Sequence, residues 1–320
     1  MVQEENKEVE FSIVVSCYFE EKSIDEFHSR LISAMRDTER SFEIIYINDG
    51  SSDGTLEKLH EIFERDQELS VVCDLFKNVG QANAKTPGIL HARGKALVLI
   101  DSDLQLDPED VSLLIQKYDE GYDIVSGYRK TRKDSFIRVV PSKIANWLMR
   151  KASKSNIRDF GCTFKIYDMR LVKAFKFDVF KPWRMLPVLA QARKIAEVPV
   201  AHHPRRYGKS GWTFSKLFAY NMETIVALSE RPFQYVALFC AIGALTLFLR
   251  VLLGVFFPGS VMEEVSNGLL LNALVIGILL ILSVLSMVGE FVIRQFVALQ
   301  SKPSFITRGF LQRDTKVDIK

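Results

Sequence analysis

Asp101-Ser102-Asp103 directly follows the apolar, strand-like run Lys95–Ile100. Two carboxylates two residues apart at a strand end can hold a divalent cation against a diphosphate, because Mg²⁺ and Mn²⁺ prefer hard oxygen ligands. Other acidic and polar groups fall just past strand-like runs: Tyr18 and Glu20 after Phe11–Cys17, and Asp49 after Phe42–Ile47. Acidic groups gathered on one rim are costly unless paired, so a cation, or the hydroxyls and base of a nucleotide, are their natural partners. Asp53 differs: Asp-Gly at a helix start is ordinary capping chemistry. His202 and His203 are adjacent on an extended segment and point to opposite faces, which argues for structural roles rather than a shared metal. Two long apolar segments downstream suggest that a second substrate is a lipid.

The elements that must position these residues alternate. Strands are expected at Phe11–Cys17, Phe42–Ile47, Leu69–Leu75 and Ala96–Ile100, with helices at Ile24–Arg36, Thr55–Arg65 and Gln81–His91 between them. Such alternation predicts an α/β domain with a mostly parallel sheet and helices on both faces. In such sheets ligands bind beyond the carboxyl ends of the strands.

With 320 residues, 48% of them hydrophobic, the chain can hold one large domain and a membrane module. Its net charge of +3 is too small to argue for nucleic acid. Cys17, Cys73, Cys162 and Cys240 form no C-x-x-C pair, so neither a zinc site nor a disulfide framework is indicated. The charged N-terminus has no apolar core of a secretory signal, which predicts that the first domain stays in the cytosol. Apolar runs over 233–257 and 268–292 are long enough to cross a bilayer as helices. The link Pro258–Asn267 carries Glu263 and Glu264 but no Lys or Arg, whereas Arg294, Lys302, Arg308, Arg313, Lys316 and Lys320 follow the second run. The positive-inside rule then places the link outside and both termini in the cytoplasm. The expected division is a catalytic domain over 1–212, an amphipathic helix over 213–231, a transmembrane hairpin over 232–293 and a basic tail over 294–320. Trp183 and Trp212 suit either a sugar face or a membrane interface.

The ordered set Cys17-Tyr18-Phe19-Glu20-Glu21, Asn48-Asp49-Gly50-Ser51-Ser52-Asp53-Gly54, Asn78-Val79-Gly80-Gln81, Asp101-Ser102-Asp103-Leu104-Gln105 and Glu120-Gly121-Tyr122-Asp123 resembles family 2 glycosyltransferases with a GT-A nucleotide-sugar-binding fold. The two downstream apolar runs, with Gly289-Glu290-Phe291-x-x-Arg294, narrow the resemblance to polyprenyl-phosphate glycosyltransferases. Arg132–Arg138 and Asp159-Phe160-Gly161-Cys162 are most similar to undecaprenyl-phosphate aminoarabinose transferases, with bactoprenol glucosyltransferases and dolichol-phosphate mannose synthases as cousins. The chain departs from the family pattern at Ser16, Phe19 and Gly211, where Pro, Asn and Lys are usual.

The resemblance implies a donor site for a nucleotide sugar, tilted toward a UDP-linked one. Ser16, Tyr18, Glu20 and Asp49 would lie at the nucleoside, while Asp101, Asp103 and Gln105 would hold Mg²⁺ or Mn²⁺ and the diphosphate. Arg205 would contact donor phosphates, and Arg129, Arg138 and Ser142 would grip the acceptor phosphate; guanidinium groups suit phosphate oxygens. With Asp103, Asp159 is the other carboxylate assigned a catalytic role, orienting the acceptor or acting as a weak base. The reaction implied is inverting transfer to a polyprenyl phosphate by a plasma-membrane homotetramer. Two other readings are a polysaccharide synthase of the same fold, which would need more spans and a Gln-x-x-Arg-Trp segment, and a catalytically silent membrane scaffold.

Overall fold

The structure, a computed structural model, describes residues 8–130, 149–150, 153, 155–206 and 302–313, with scattered positions between 242 and 296. In chain order the first elements are β1 (Phe11–Cys17), α1 (Ile24–Arg36), β2 (Phe42–Asn48), α2 (Thr55–Arg65), β3 (Leu69–Leu75), α3 (Gln81–His91) and β4 (Ala96–Asp101). These match the elements expected from periodicity, β2 and β4 each running one residue further. A turn of 3-10 helix at Pro108–Asp110 leads into α4 (Val111–Asp119), followed by β5 (Ile124–Arg129), β6 (Lys165–Asp168), short helices at Met169–Ala174 and Met185–Gln191, β7 (Ile195–Val200) and β8 (Thr307–Gln312).

The eight described strands form one sheet in the order β7-β5-β6-β4-β1-β2-β3-β8. The β3-β2-β1-β4 block is parallel throughout, and β6 and β8 run antiparallel to their neighbours. Successive side chains alternate across the sheet. Ile13, Val15, Ile44 and Tyr46 therefore pack with Phe27, Leu31, Leu59 and Ile62 of α1 and α2, whereas Val14, Ile45 and Ile47 meet Ala84 and Ile89 of α3 on the other face. Gly88 sets how close α3 lies, since a Cβ there would stand 2.6 Å from both Ile47 Cδ1 and Val14 Cγ1.

The stretch expected as a basic tail contributes a strand. Thr307–Gln312 forms β8 against β3, and one compact unit comprises Met1–Leu228 together with Pro303–Lys320. Without β8, β3 would present an unpaired edge; Arg308 Nε fixes the strand by donating to Asp74 Oδ2 at 2.6 Å. A second unit covers Ser229–Lys302. Among the described residues no helix is long and apolar enough to cross a membrane. The amphipathic helix expected at 213–231, nearly all of the 233–257 run and much of 268–292 lie outside the described residues.

Candidate active site

The strand order reverses between β1 and β4, because β1 continues to β2 on one side while β4 lies on the other. Crevices at such switch points, outside the carboxyl ends of the strands, are where open α/β sheets bind ligands. Ser102 ties the two strand ends by donating to the Ser16 carbonyl at 3.4 Å. Beneath them Cys17 is buried, and that burial pushes its thiol far above the usual range.

Glu20, Asp101 and Asp103 converge on this crevice. Asp101 accepts from Lys85 Nζ at 3.1 Å and from Thr163 Oγ1 at 2.6 Å. Asp103 accepts from Arg205 at 2.8 Å and from the Gln105 backbone N–H at 3.2 Å. Burial, reinforced by the Asp101 charge, raises the Asp103 carboxyl above its ordinary range, against the pull of Arg205. Glu20 is pushed up to about 7 by burial, with the Asp103 and Asp101 charges adding to the effect and a hydrogen bond from Ser23 opposing it. Three carboxylates thus face two cations, Lys85 and Arg205. Asp101 and Asp103 offer hard oxygens of the kind a divalent cation takes, a pair rather than a three-ligand group among the described residues. Gln105 is held beside the group, its carbonyl accepting the His203 N–H at 2.8 Å.

Asp49 sits at the end of β2 with both carboxylate oxygens engaged by the next loop. It accepts from Val79 N–H at 2.8 Å, Gly80 N–H at 3.2 Å and Asn78 Nδ2 at 2.9 Å. Burial raises its carboxyl to about 6, and the two backbone hydrogen bonds moderate the shift. Gly50 must be glycine here: its φ is +65°, and a Cβ would lie 2.4 Å from the Lys77 carbonyl carbon. Tyr18 and Phe19 are 44% and 46% exposed, their ring centroids 4.4 Å apart. Phe19 adopts φ +59°, a left-handed conformation uncommon for a bulky residue, with its N–H donating to Ser51 Oγ at 3.2 Å.

The second cluster joins residues predicted for different tasks. Arg129, at the end of β5, grips Asp159 with two parallel bonds, Nε to Oδ2 at 2.7 Å and Nη2 to Oδ1 at 2.9 Å. Two such charge-assisted bonds fix the relative orientation of the guanidinium and the carboxylate. The turn from Asp159 to Cys162 closes through a backbone bond and leads to Thr163, which reaches Asp101. Lys165 is fully buried behind that turn, where it donates to the Cys162 carbonyl; burial lowers its ammonium pKa.

Arg138, Ser142 and the 208–212 segment lie outside the described residues. Asp53 precedes Gly54, the N-cap of α2, and its carboxylate accepts from the Thr55 N–H at 3.2 Å and from the Thr55 hydroxyl at 2.5 Å. His203 pairs with Asp107 at 2.8 Å, and no group of three or more potential metal ligands occurs among the described residues. Trp183 serves neither use considered for it, being 3% exposed and packed edge-on against Tyr167 and Phe177. Sequence reasoning missed Lys85, Thr163 and Lys165. A lysine within the buried face Ala84–Ile89 of α3 is a signal that was available, since buried lysines demand a partner.

Comparison with known proteins agrees with this geometry. The pattern of Glycosyl transferase family 2 matches residues 12–180. Undecaprenyl-phosphate 4-deoxy-4-formamido-L-arabinose transferase of Klebsiella pneumoniae (strain 342) is 30% identical over 309 residues, spanning 94% of this chain and 92% of the relative. The enzyme of that name from Edwardsiella ictaluri (strain 93-146) is 31% identical over 242 residues, 75% of this chain and 74% of its own. Among solved structures, glucosyl-3-phosphoglycerate synthase from Mycobacterium tuberculosis superposes with a TM-score of 0.50 at 19% identity, covering 69% of this chain and 79% of that one, which supports the GT-A-like fold. With strand order, acidic crevice and sequence pattern in agreement, the chain is a glycosyltransferase and belongs to family 2.

Proposed function

We propose that this enzyme moves a sugar from a nucleoside-diphosphate donor, UDP-linked, to the phosphate of undecaprenol or a related polyprenol, with inversion at the anomeric carbon. The observation that carries this reading is the adjacency of two charge clusters, Glu20/Asp101/Asp103/Arg205 and Arg129/Asp159, joined by the Thr163–Asp101 bond. The first suits a donor diphosphate and the second a phosphate acceptor. Tyr18 and Phe19 offer an aromatic surface for the base beside the loop that Asp49 orders.

Asp101, Asp103 and Gln105 are the residues that would hold Mg²⁺ or Mn²⁺, which when bound supplies charge neutralisation to the departing diphosphate. Arg205 complements that role from the protein side. A phosphomonoester, with its second pKa near 6, is largely dianionic at neutral pH. Its oxygen attacks the anomeric carbon as the bond to the diphosphate breaks, and no proton has to be removed. The residues' tasks are then placement and electrostatics: Asp159 holds Arg129, and Arg129 presents a cation to the acceptor.

The lipid part of the proposal rests on the second unit and on chain topology. Leu274, Ile278, Ile281, Leu285, Val292 and Phe296 are helical and exposed, so the second unit presents many apolar side chains to its surroundings. The chain leaves the catalytic unit after Leu228 and rejoins it at Pro303. An even number of crossings satisfies that return, as does a hairpin with both ends in the cytoplasm; a homotetramer remains part of the proposal by resemblance alone. The test is incubation of purified protein with undecaprenyl phosphate, Mg²⁺ or Mn²⁺ and a panel of UDP- and GDP-sugars, followed by mass spectrometry of the lipids. One glycosylated lipid phosphate, absent with EDTA, is expected. No donor consumption across the panel, with the protein folded, would favour a silent scaffold.

A further inference from the structure

The carboxyl-end rim carries another feature, outside both charge clusters. Phe76, Phe180 and Ile306 are 61%, 53% and 55% exposed. They come from three segments held together by backbone bonds. Phe76 N–H donates to the Ile306 carbonyl at 3.0 Å, and Ser304 N–H donates to the Val179 carbonyl at 2.8 Å. Phe305 is buried in the core, which anchors the segment and fixes the position of its neighbour Ile306. Phe180 sits on a closed turn in which the Asp178 carboxylate accepts the N–H groups of Phe180 at 2.7 Å and Lys181 at 2.6 Å. Single exposed apolar side chains are ordinary, but three preset on adjoining segments are not.

Lysines flank the patch. Lys77 and Lys181 are exposed next to Phe76 and Phe180. The nearby acids are engaged, Asp178 by its own turn and Asp74 by Arg308 and Asn48. Phe76 follows the carboxyl end of β3 and Ile306 precedes antiparallel β8, so both lie on the rim that holds Asp49 and Asp101. Ile306 also falls only three residues after Pro303, where the chain returns from the apolar-rich unit.

We propose that Phe76, Phe180 and Ile306 dock this rim onto an anionic bilayer, with the apolar side chains entering the acyl boundary and Lys77 and Lys181 meeting headgroup phosphates. The inference rests on the lipid-acceptor reading above and adds to it the surface that brings the charge clusters to the membrane. The full-length protein is reconstituted into bilayers of phosphatidylethanolamine and phosphatidylglycerol, with a nitroxide placed singly through Phe76→Cys, Phe180→Cys or Ile306→Cys. Glu120→Cys, before the amino end of β5, is the control, and wild type treated identically supplies the background signal from native thiols. Flotation establishes membrane association, and relaxation by oxygen against a water-soluble nickel chelate reports depth. Stronger relaxation by oxygen at the three patch positions, reversed at position 120, is expected. Floating protein with patch labels as open to nickel as position 120 would overturn the docking surface while leaving the lipid-acceptor reading intact. Labels shielded from both reagents would overturn it in favour of a covering protein chain, and protein that does not float would overturn both readings.

Discussion

Removing either member of the Arg129–Asp159 pair should cost more stability than removing both would suggest. The Arg129 side chain is 19% exposed and that of Asp159 is 7% exposed, and they share two short bonds. Breaking such a pair from one side strands a charge out of water, at about 3–5 kcal/mol. Asp159→Ala and Arg129→Ala should each approach that figure, whereas the double variant removes both charges of the pair together and should fall short of their sum by about 2–3 kcal/mol. In a catalytic unit of roughly 250 residues, 1 kcal/mol corresponds to about 2–4 °C. A loss of about 3 kcal/mol therefore lowers Tm by about 6–12 °C in each single variant. Cys17, Cys73 and Cys162 are buried, so a thiol-reactive fluorophore reads unfolding of the full chain in detergent. Single-variant shifts below about 2 °C, or strict additivity in the double variant, would refute the placement of Arg129 and Asp159 as one buried unit.

Asp103→Asn should reduce turnover by about 10²–10³-fold, measured as nucleotide release in initial-rate assays, because it weakens the hold on the divalent cation and on Arg205, the positive groups that would face the departing diphosphate. Arg308→Ala should raise the KM for the donor by up to about tenfold with a smaller change in kcat, since Arg308 holds Asp74, Asp74 accepts from Asn48, and Asn48 accepts the Ser51 N–H beside Phe19; an unchanged KM would break that chain of argument. Gly88→Val should destabilise by about 1–3 kcal/mol in the same thermal assay, as the added atoms press on Ile47 and Val14. Burial lowers the pKa of His28, which bonds Tyr46 and Asp66. The native state therefore binds this proton less readily than the unfolded chain, and the stabilisation present above about pH 6.5 is lost as pH falls through the lower native value. His28→Gln should flatten that acid limb of a Tm-against-pH profile.

Periodicity made the first half of the fold legible: Phe11–Cys17 and Leu69–Leu75 are short apolar runs bounded by polar turns, and α1 and α2 carry one apolar stripe each. The rim residues followed from them, because a ligand crevice in such a sheet is fixed by where strands end. β8 was not legible, since Thr307–Gln312 is exposed along nearly its whole length and owes its strand conformation to the edge of β3. Nor was the pairing of Arg129 with Asp159, thirty positions apart, because nothing local requires two residues assigned to different tasks to neutralise one another. Lys85 and Thr163 are hidden for a similar reason: their partner Asp101 reads as complete with the cation it could hold, and nothing local in the sequence ties it to a lysine 16 positions earlier or a threonine 62 later.

The most direct test of the central claim is phosphorus NMR of undecaprenyl phosphate after incubation with the enzyme and its nucleotide-sugar donor. Conversion of the lipid phosphomonoester signal to a phosphodiester, matched by release of nucleoside diphosphate and lost in folded Asp103→Ala, is predicted. Donor turnover that leaves the lipid phosphomonoester untouched, whatever donor supports it, would contradict the account.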